Sequence, residues 1–163
     1  MAGIQIIETP IGYLKIKAST LGLKSIGLLQ DKPEVDQESP NQHSSQAAKE
    51  LLEYFDENRK EFSVCLDWEG YSDFNKSVWS YLVNIPSGQT RTYSDIAKYL
   101  DNPGASRAVG LANGKNPIPI IVPCHRVIGS NGALTGFALG LHVKEQLLAH
   151  ENPDSFAMQG KLF

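Results

Sequence analysis

The chain has 163 residues, 41% hydrophobic and 20% charged, which excludes a wholly disordered chain and allows one core or two small ones. Two cysteines are too few for a disulfide framework, no apolar run approaches the roughly 18 residues of a membrane span, and no secretory signal is visible, so a soluble, cytoplasmic protein without a membrane partner is predicted. The net charge of −3 argues against a nucleic-acid partner, but residues 72–163 hold eight basic and six acidic side chains, against seven and twelve in residues 1–71.

The first part of the sequence is predicted to form a sheet followed by a helix. Short runs rich in Ile and Leu, separated by turn residues, predict strands at residues 4–9, 12–18 and 21–29. Residues 31–43 are polar and contain two prolines, which indicates a loop. Ser44 and Ser45 then precede a helix whose inward positions are Ala48, Leu51, Leu52 and Phe55. Residues 62–68 predict one more strand, with Cys65 packed in the core, and residues 70–72 mark the boundary between two parts.

The second part is predicted to be mainly helical. A helix capped by Ser72 and Asp73 ends before Pro86, and its apolar positions are Phe74, Val78, Tyr81 and Leu82. Thr92 caps a second helix that turns Ile96, Ala97 and Leu100 inward. After a break at residues 101–104, a third helix covers about residues 105–115. Two helices joined by a short glycine-containing turn are typical of a helix-turn-helix unit.

The third helix has two unlike faces when its residues are placed at 100° intervals. Leu111, Ala108, Ala112 and Val109 form a small apolar face, which is predicted to point inward. The opposite arc consists of Ser106, Arg107, Gly110, Asn113 and Gly114. Because two helical glycines cost roughly 1 kcal/mol each relative to alanine, this flat surface favours close approach to a DNA backbone. The alternative is a surface helix that tolerates glycine.

Residues 116–127 contain the candidate nucleophile of the chain. The prolines that bracket an Ile/Val run there exclude a central strand and predict a rigid extended loop that delivers Cys124, beside His125, to a fixed place. A free cysteine is commonly a buried and inert apolar residue. It becomes a nucleophile where its surroundings favour the thiolate, as a neighbouring imidazole can do. The pair alone leaves both interpretations open.

Residues 123–127, Pro-Cys-His-Arg-Val, together with Asn116-Pro117 before them and Gly136-Phe137-Ala138 after them, resemble the 6-O-alkylguanine-DNA alkyltransferases, also named methylated-DNA–protein-cysteine methyltransferases. The resemblance extends over residues 72–155, whereas residues 1–71 match in general character. It implies an α+β fold: a small ribonuclease H-like antiparallel sheet with a helix in residues 1–71, then a winged helix-turn-helix domain in residues 72–163 that carries the active-site loop.

The resemblance implies direct reversal of DNA damage in a single turnover without a cofactor. Cys124 is the expected irreversible alkyl acceptor, His125 the base that takes its proton through a water, and Glu151 the carboxylate that orients His125. The helical angle of Glu151, between Leu147 and Leu148, independently predicts a buried carboxylate that needs a partner. Lys144 or solvent is the alternative partner, although about 10 Å of helical rise separates Lys144 from Glu151. Asn116 is expected to bridge the active site, and it equally suits a helix end before Pro117.

The substrate implied by the resemblance is double-stranded DNA containing an alkylated guanine, bound through its minor groove with that nucleotide flipped out. Tyr93 is expected to help protonate the leaving base, the carbonyls of Cys124 and Val127 to bind its amine, and the Ala138 N–H to bind its oxygen. Arg107 is expected to fill the space of the flipped nucleotide. Phe137 and Leu139 complete the predicted base site, and the predicted DNA-contacting set is Ser106, Arg107, Gly110, Asn113, Gly114 and Arg126.

Two features depart from the family. Leu139 stands where glycine is common, which puts acceptance of large alkyl groups in doubt. The N-terminal part lacks the cysteine and histidine pattern that binds structural zinc in some members, so no metal is predicted. His142 and His150 have no evident partner in the sequence and are expected at or near the surface.

Three alternatives compete with a monomeric alkyltransferase. Alkyltransferase-like damage-binding proteins have the same scaffold but lack the acceptor cysteine, which this chain has. A winged-helix regulator would keep Cys124 buried and inert. A cysteine hydrolase would need turnover and an oxyanion site, and adjacent residues in an extended loop usually point apart.

Overall fold

The computed structural model describes residues 1–33, 38–132, 134 and 137–156, which pack as two units. The first contains Met1–Glu69 and Pro117–Ile121; the second contains Gly70–Asn116 and the chain from Val122 onward. Both units are therefore discontinuous. The division into domains 1–71 and 72–163 remains a prediction about the chain.

The sheet of the first unit is antiparallel and has the order β1-β2-β3. Its strands are β1 (Gly3–Thr9), β2 (Gly12–Ala18) and β3 (Leu23–Leu28). Strand pairing runs from Gly3 opposite Ala18 to Thr9 opposite Gly12. Gly12 has a φ of 124°, a conformation that side chains disfavour, and this permits the tight turn between β1 and β2. Two consecutive hairpins thus confirm the three predicted strands.

Helix α1 (Gln42–Phe55) packs on β1 and β2. Its N-cap is Asn41, whose side chain accepts from the backbone N–H of Ser44 while the Ser44 hydroxyl accepts from the Asn41 N–H. The predicted start at Ser44 and Ser45 is therefore corrected by one helical turn. Leu51 is fully buried but Leu52, predicted inward, is 42% exposed.

The strand predicted at residues 62–68 is absent from this described part of the chain, which makes only an isolated bridge between Leu66 and Leu23. The segment is held instead by Glu50 of α1, which is 3% exposed and accepts from the backbone N–H groups of Ser63 and Val64. Alternation along this extended segment buries Val64 and exposes Cys65. The prediction that Cys65 packs in the core is wrong.

The second unit contains five α-helices and a parallel two-stranded sheet in the described residues. Helix α2 (Asp73–Val83) has Ser72 as its N-cap, and α3 (Tyr93–Tyr99) has Thr92 in a capping box with Asp95, as predicted. Helix α4 (Ser106–Gly114) packs on α2 and α3, which gives the helix-turn-helix. Strand β4 (Arg91–Thr92) pairs with β5 (Val127–Ile128), and α5 (Leu141–Glu151) and α6 (Pro153–Phe156) follow.

The core of the second unit is built around Trp79 of α2, which is fully buried. Its indole N–H donates to the Ala112 carbonyl oxygen of α4 at 2.8 Å, and its ring meets Tyr71 edge-on at 5.0 Å. The predicted periodicity of α2 included Val78 and Leu82, both fully buried, but omitted Trp79. Removal of such a buried aromatic side chain costs about 3–5 kcal/mol, so Trp79 is a main attachment of α4.

Candidate active site

The prediction of an extended loop before Cys124 is wrong: residues 117–122 form bends and turns, with Ile120 at a φ of 74°, and a further turn then holds Cys124. Residues Cys124–Arg126 form a single 3-10 turn, closed by the Arg126 N–H donating to the Pro123 carbonyl at 3.0 Å. Directly after it, β5 pairs Val127 with Arg91 of β4. Cys124 is 3% exposed. The turn therefore buries the thiol between a proline and a paired strand.

His125 and Arg126 both bind Glu151 at the end of α5. The His125 Nε2 atom lies 2.7 Å from Glu151 Oε2, and the guanidinium of Arg126 donates to both carboxylate oxygens at 2.8 and 2.9 Å. All three side chains are buried, with exposed fractions of 0%, 5% and 1% for His125, Arg126 and Glu151. The predicted contact between Glu151 and the imidazole is thus confirmed.

The ionisation of this pair follows from its surroundings. Burial opposes ionisation of Glu151, but His125 and Arg126 hold the pKa of its carboxyl well below the ordinary value. Burial lowers the pKa of His125, against the attraction of Glu151. The carboxylate only accepts hydrogen bonds, so Nε2 of the neutral imidazole carries the proton and Nδ1 presents its lone pair. The imidazole is therefore a base aimed away from Glu151.

The thiol itself is held in its protonated form. Burial raises the pKa of Cys124 to about 11, although a hydrogen bond from Asn116 and the charge of Lys144 favour the thiolate. The Asn116 side chain also donates to the Val122 carbonyl oxygen at 2.7 Å and is 5% exposed. Asn116 therefore contacts Val122 and Cys124, the residues on either side of Pro123. A base is needed before this thiol can act as a nucleophile.

Lys144, predicted only as an alternative partner for Glu151, is a member of the site. Its side chain is fully buried, and Nζ donates to the Val127 carbonyl oxygen at 2.6 Å. Burial lowers the pKa of Lys144 to about 8, whereas Cys124 favours its charged form. The i, i+3, i+4, i+7 spacing of Lys144, Leu147, Leu148 and Glu151 places all four on one helical face, and this signal was available in the sequence.

Two of the predicted DNA contacts are corrected by burial. Arg126 binds Glu151 and also donates to the Ile85 carbonyl oxygen at 2.6 Å, so its guanidinium is not available at the surface. Asn113 is 3% exposed, and its Nδ2 donates to the Cys124 carbonyl oxygen at 3.3 Å. Both residues support the turn around Cys124.

The face of α4 that is exposed differs from the predicted arc. Packing against α2 and α3 buries Val109, Ala112 and Asn113. Ala108 and Leu111, which were predicted to point inward, are exposed, the latter at 63%. Ser106 and Gly110 are half-buried, and Gly110 faces the ring of Tyr93. The exposed strip of α4, continued by the next residue, comprises Arg107, Ala108, Leu111, Gly114 and Lys115.

The predicted base-binding residues are only partly described. Tyr93, the first residue of α3, is half-buried. Phe137 meets the His125 ring edge-on, with centroids 6.5 Å apart, and Leu139 is half-buried while Ala138 is exposed. Gly136 of the same motif lies outside the described residues. The two carbonyls expected to bind the guanine amine, those of Cys124 and Val127, each already accept one hydrogen bond and retain a second lone pair.

Among residues 1–33, 38–132, 134 and 137–156, no three His, Cys, Asp or Glu side chains lie close enough together to hold a metal ion. None of the helices in this part of the chain combines the length and the hydropathy of a membrane span.

Comparison with known proteins gives the same family for both parts of the chain. Residues 73–153 match the model described as the 6-O-methylguanine DNA methyltransferase DNA-binding domain, and residues 4–68 match its ribonuclease-like domain. A methylated-DNA–protein-cysteine methyltransferase of Methanosarcina acetivorans is 48% identical over 150 residues, which cover 90% of this chain and 96% of that protein.

Solved structures agree with the sequence comparison. The crystal structure of the Mycobacterium tuberculosis O6-methylguanine methyltransferase is 42% identical, with a TM-score of 0.81 over 98% of this chain and 96% of that one. The M. tuberculosis OGT in complex with DNA is 44% identical, with a TM-score of 0.80 over 91% of this chain and 92% of that one. On these matches and on the shared α+β fold, the chain belongs to the 6-O-methylguanine DNA methyltransferase family.

Proposed function

We propose that this protein reverses alkylation damage directly, by transferring the alkyl group of a 6-O-alkylguanine in DNA to Cys124, once and irreversibly. The observation that carries the proposal is the 2.7 Å contact of Glu151 with His125, the residue next to the buried thiol. It fixes a neutral imidazole with its Nδ1 lone pair available to take a proton. No cofactor is required, because the nucleophile and its base belong to the chain.

The reaction has a simple balance. His125 takes the thiol proton, and Cys124 sulfur attacks the alkyl carbon while the bond from that carbon to the guanine oxygen breaks. The guanine leaves with the bonding electrons and gains a proton, for which the Tyr93 hydroxyl is the proposed donor. The product thioether has no leaving group that water displaces readily, so each molecule reacts once.

The electrostatics of the site favour the charge that develops on sulfur. Because the pKa of Cys124 is raised to about 11, the thiolate forms only as the proton leaves for His125. Lys144, which lowers the pKa of that thiol, supplies a buried positive charge for the developing thiolate. Glu151 then stabilises the imidazolium, since its carboxylate accepts from Nε2. The proton that leaves Cys124 and the charges that result therefore stay within the buried cluster.

We further propose that the exposed strip of α4 enters the minor groove of the DNA. Arg107 and Lys115 supply positive charge there, and no acidic residue lies on α4. The attacked carbon is inaccessible within the base stack, so the nucleotide is flipped out, and Arg107 takes its space. Leu111, which is exposed on the same strip, is expected to contact the wall of the groove. Action as a monomer in the cytoplasm, where free thiols persist, belongs to the same proposal.

The two cysteines provide the test. Incubation with a duplex containing 6-O-methylguanine is expected to add the mass of one methylene group (a methyl in place of the thiol hydrogen) to the intact protein, and peptide mapping is expected to locate it on buried Cys124. Cys65→Ser is the matched control and is expected to react normally, since Cys65 is exposed and lies in the other unit. Cys124→Ser is expected to remain unmodified. Binding without transfer would support a damage-binding protein, and label on Cys65 would contradict the proposal.

A further inference from the structure

Asn113 is the one buried polar side chain of α4 in the described structure. It is 3% exposed, and its Nδ2 donates to the Cys124 carbonyl oxygen at 3.3 Å. A leucine has the same branched shape and avoids the cost of burying an amide, which is about 1–3 kcal/mol for each group left unsatisfied. The buried amide of Asn113 therefore indicates a role other than packing.

Two buried acceptors beside Cys124 lack a hydrogen-bond partner among the described residues: Asn113 Oδ1 and His125 Nδ1. Nδ1 is an acceptor because Nε2 carries the proton that faces Glu151. Oδ1 is an acceptor because Nδ2 of the same amide faces a carbonyl oxygen. Two acceptors cannot satisfy each other, so both need a donor from elsewhere.

We propose that one water molecule donates to both Asn113 Oδ1 and His125 Nδ1 and accepts from the Cys124 thiol, so that Asn113 positions the water through which the thiol proton leaves. A buried water typically makes about three hydrogen bonds, and this arrangement provides three. Asn113 contacts the backbone carbonyl of Cys124, and His125 directly follows Cys124 in the turn. The inference rests on the proposed function and adds a residue to its mechanism.

The proton balance of the relay is complete. The thiol gives its proton to the water, the water gives one of its own to His125 Nδ1, and the water remains. Asn113 Oδ1 accepts the second hydrogen of the water throughout and so fixes which hydrogen points to Nδ1. Asn113 gains and loses no proton, and it acts as a positioning residue.

The test is a double-mutant cycle on the single-turnover transfer rate with a methylated duplex. Asn113→Leu is expected to slow transfer about tenfold, equivalent to about 1.4 kcal/mol in the barrier. In a His125→Ala background the same substitution is expected to change the rate less than about twofold, because no relay remains to be positioned. Asn58→Leu, an exposed asparagine of the first unit, is the matched control and is expected to be neutral in both backgrounds.

The pattern of effects decides the inference. Equal slowing by Asn113→Leu with and without His125 would overturn it, since Asn113 would then act on the thiol, the base or the fold independently of the relay. Melting temperatures separate loss of fold from loss of rate, and Asn113→Ala repeats the cycle if the leucine variant does not fold. Methylation of Cys124 in the parent protein tests the proposed function separately, so the two can fail independently.

Discussion

Replacing Glu151 by glutamine tests the central pair of the site. The carboxylate accepts three hydrogen bonds, one from His125 and two from Arg126, at 2.7–2.9 Å. An amide has one oxygen, so its NH₂ group faces either the guanidinium or Nε2. With the oxygen turned to Arg126, the NH₂ group favours the tautomer whose proton sits on Nδ1, which removes the lone pair from the side of the thiol.

The magnitudes follow from these contacts. The wrong tautomer is expected to lower the transfer rate on the order of 10³–10⁴-fold, as for a catalytic triad that loses its carboxylate. Leaving Arg126 buried without its counter-charge is expected to cost about 3 kcal/mol of unfolding free energy. Single-turnover transfer to a methylated duplex and urea denaturation measure the two effects separately.

A second variant separates catalysis from stability. Arg126→Leu combined with Glu151→Leu removes both charges, so it is expected to recover much of the lost stability and none of the lost rate. If Glu151→Gln reacts at the rate of the parent protein, the assignment of the base and its tautomer is refuted. A rate that recovers along with stability in the double variant would show that Glu151 matters only for the fold.

Three further predictions concern DNA, adduct size and pH. Arg107→Ala is expected to slow transfer from duplex DNA but to leave reaction with free 6-O-methylguanine largely intact, and equal losses on both substrates would contradict base flipping by Arg107. Leu139→Gly is expected to accelerate reaction with 6-O-benzylguanine and to change the methyl reaction little, unless the parent protein already accepts the benzyl group at a comparable rate. The unfolded chain holds the Lys144 proton up to its ordinary pKa of 10.5 whereas the folded chain releases it near 8, so stability measured by urea denaturation should rise with pH above about 8. Above about pH 9 the raised pKa of Cys124 has the opposite effect on stability and offsets this rise. Lys144→Met is expected to abolish the rise that begins near pH 8. A rise that persists in this variant would show that another group causes it.

The contact between Glu151 and His125 was implied by the family resemblance, and the helical angle independently placed the carboxylate among leucines, where burial requires a partner. The same argument two helical turns earlier would have found Lys144. The strands and the caps at Ser72 and Thr92 were predictable from local residue types, which determine turns and helix starts.

The errors lie where a distant partner decides the outcome. Asn113 looked like a surface residue because nothing near it in sequence shows that the Cys124 carbonyl accepts from its amide. Arg126 was predicted to contact DNA, but its guanidinium binds Glu151 at the end of α5. Cys65 was assigned to a strand core, but the segment makes only one bridge and Cys65 faces outward.

The attachment of Trp79 to α4 has a practical consequence. This indole is fully buried, and its N–H donates to the Ala112 carbonyl, the residue next to Asn113. Its emission therefore depends on the position of the helix that carries the proposed DNA-binding strip. The chain has one other tryptophan, Trp68, in the first unit. Trp68→Phe leaves Trp79 as the single tryptophan, whose selectively excited emission is expected to report movement of α4 in real time without any added dye.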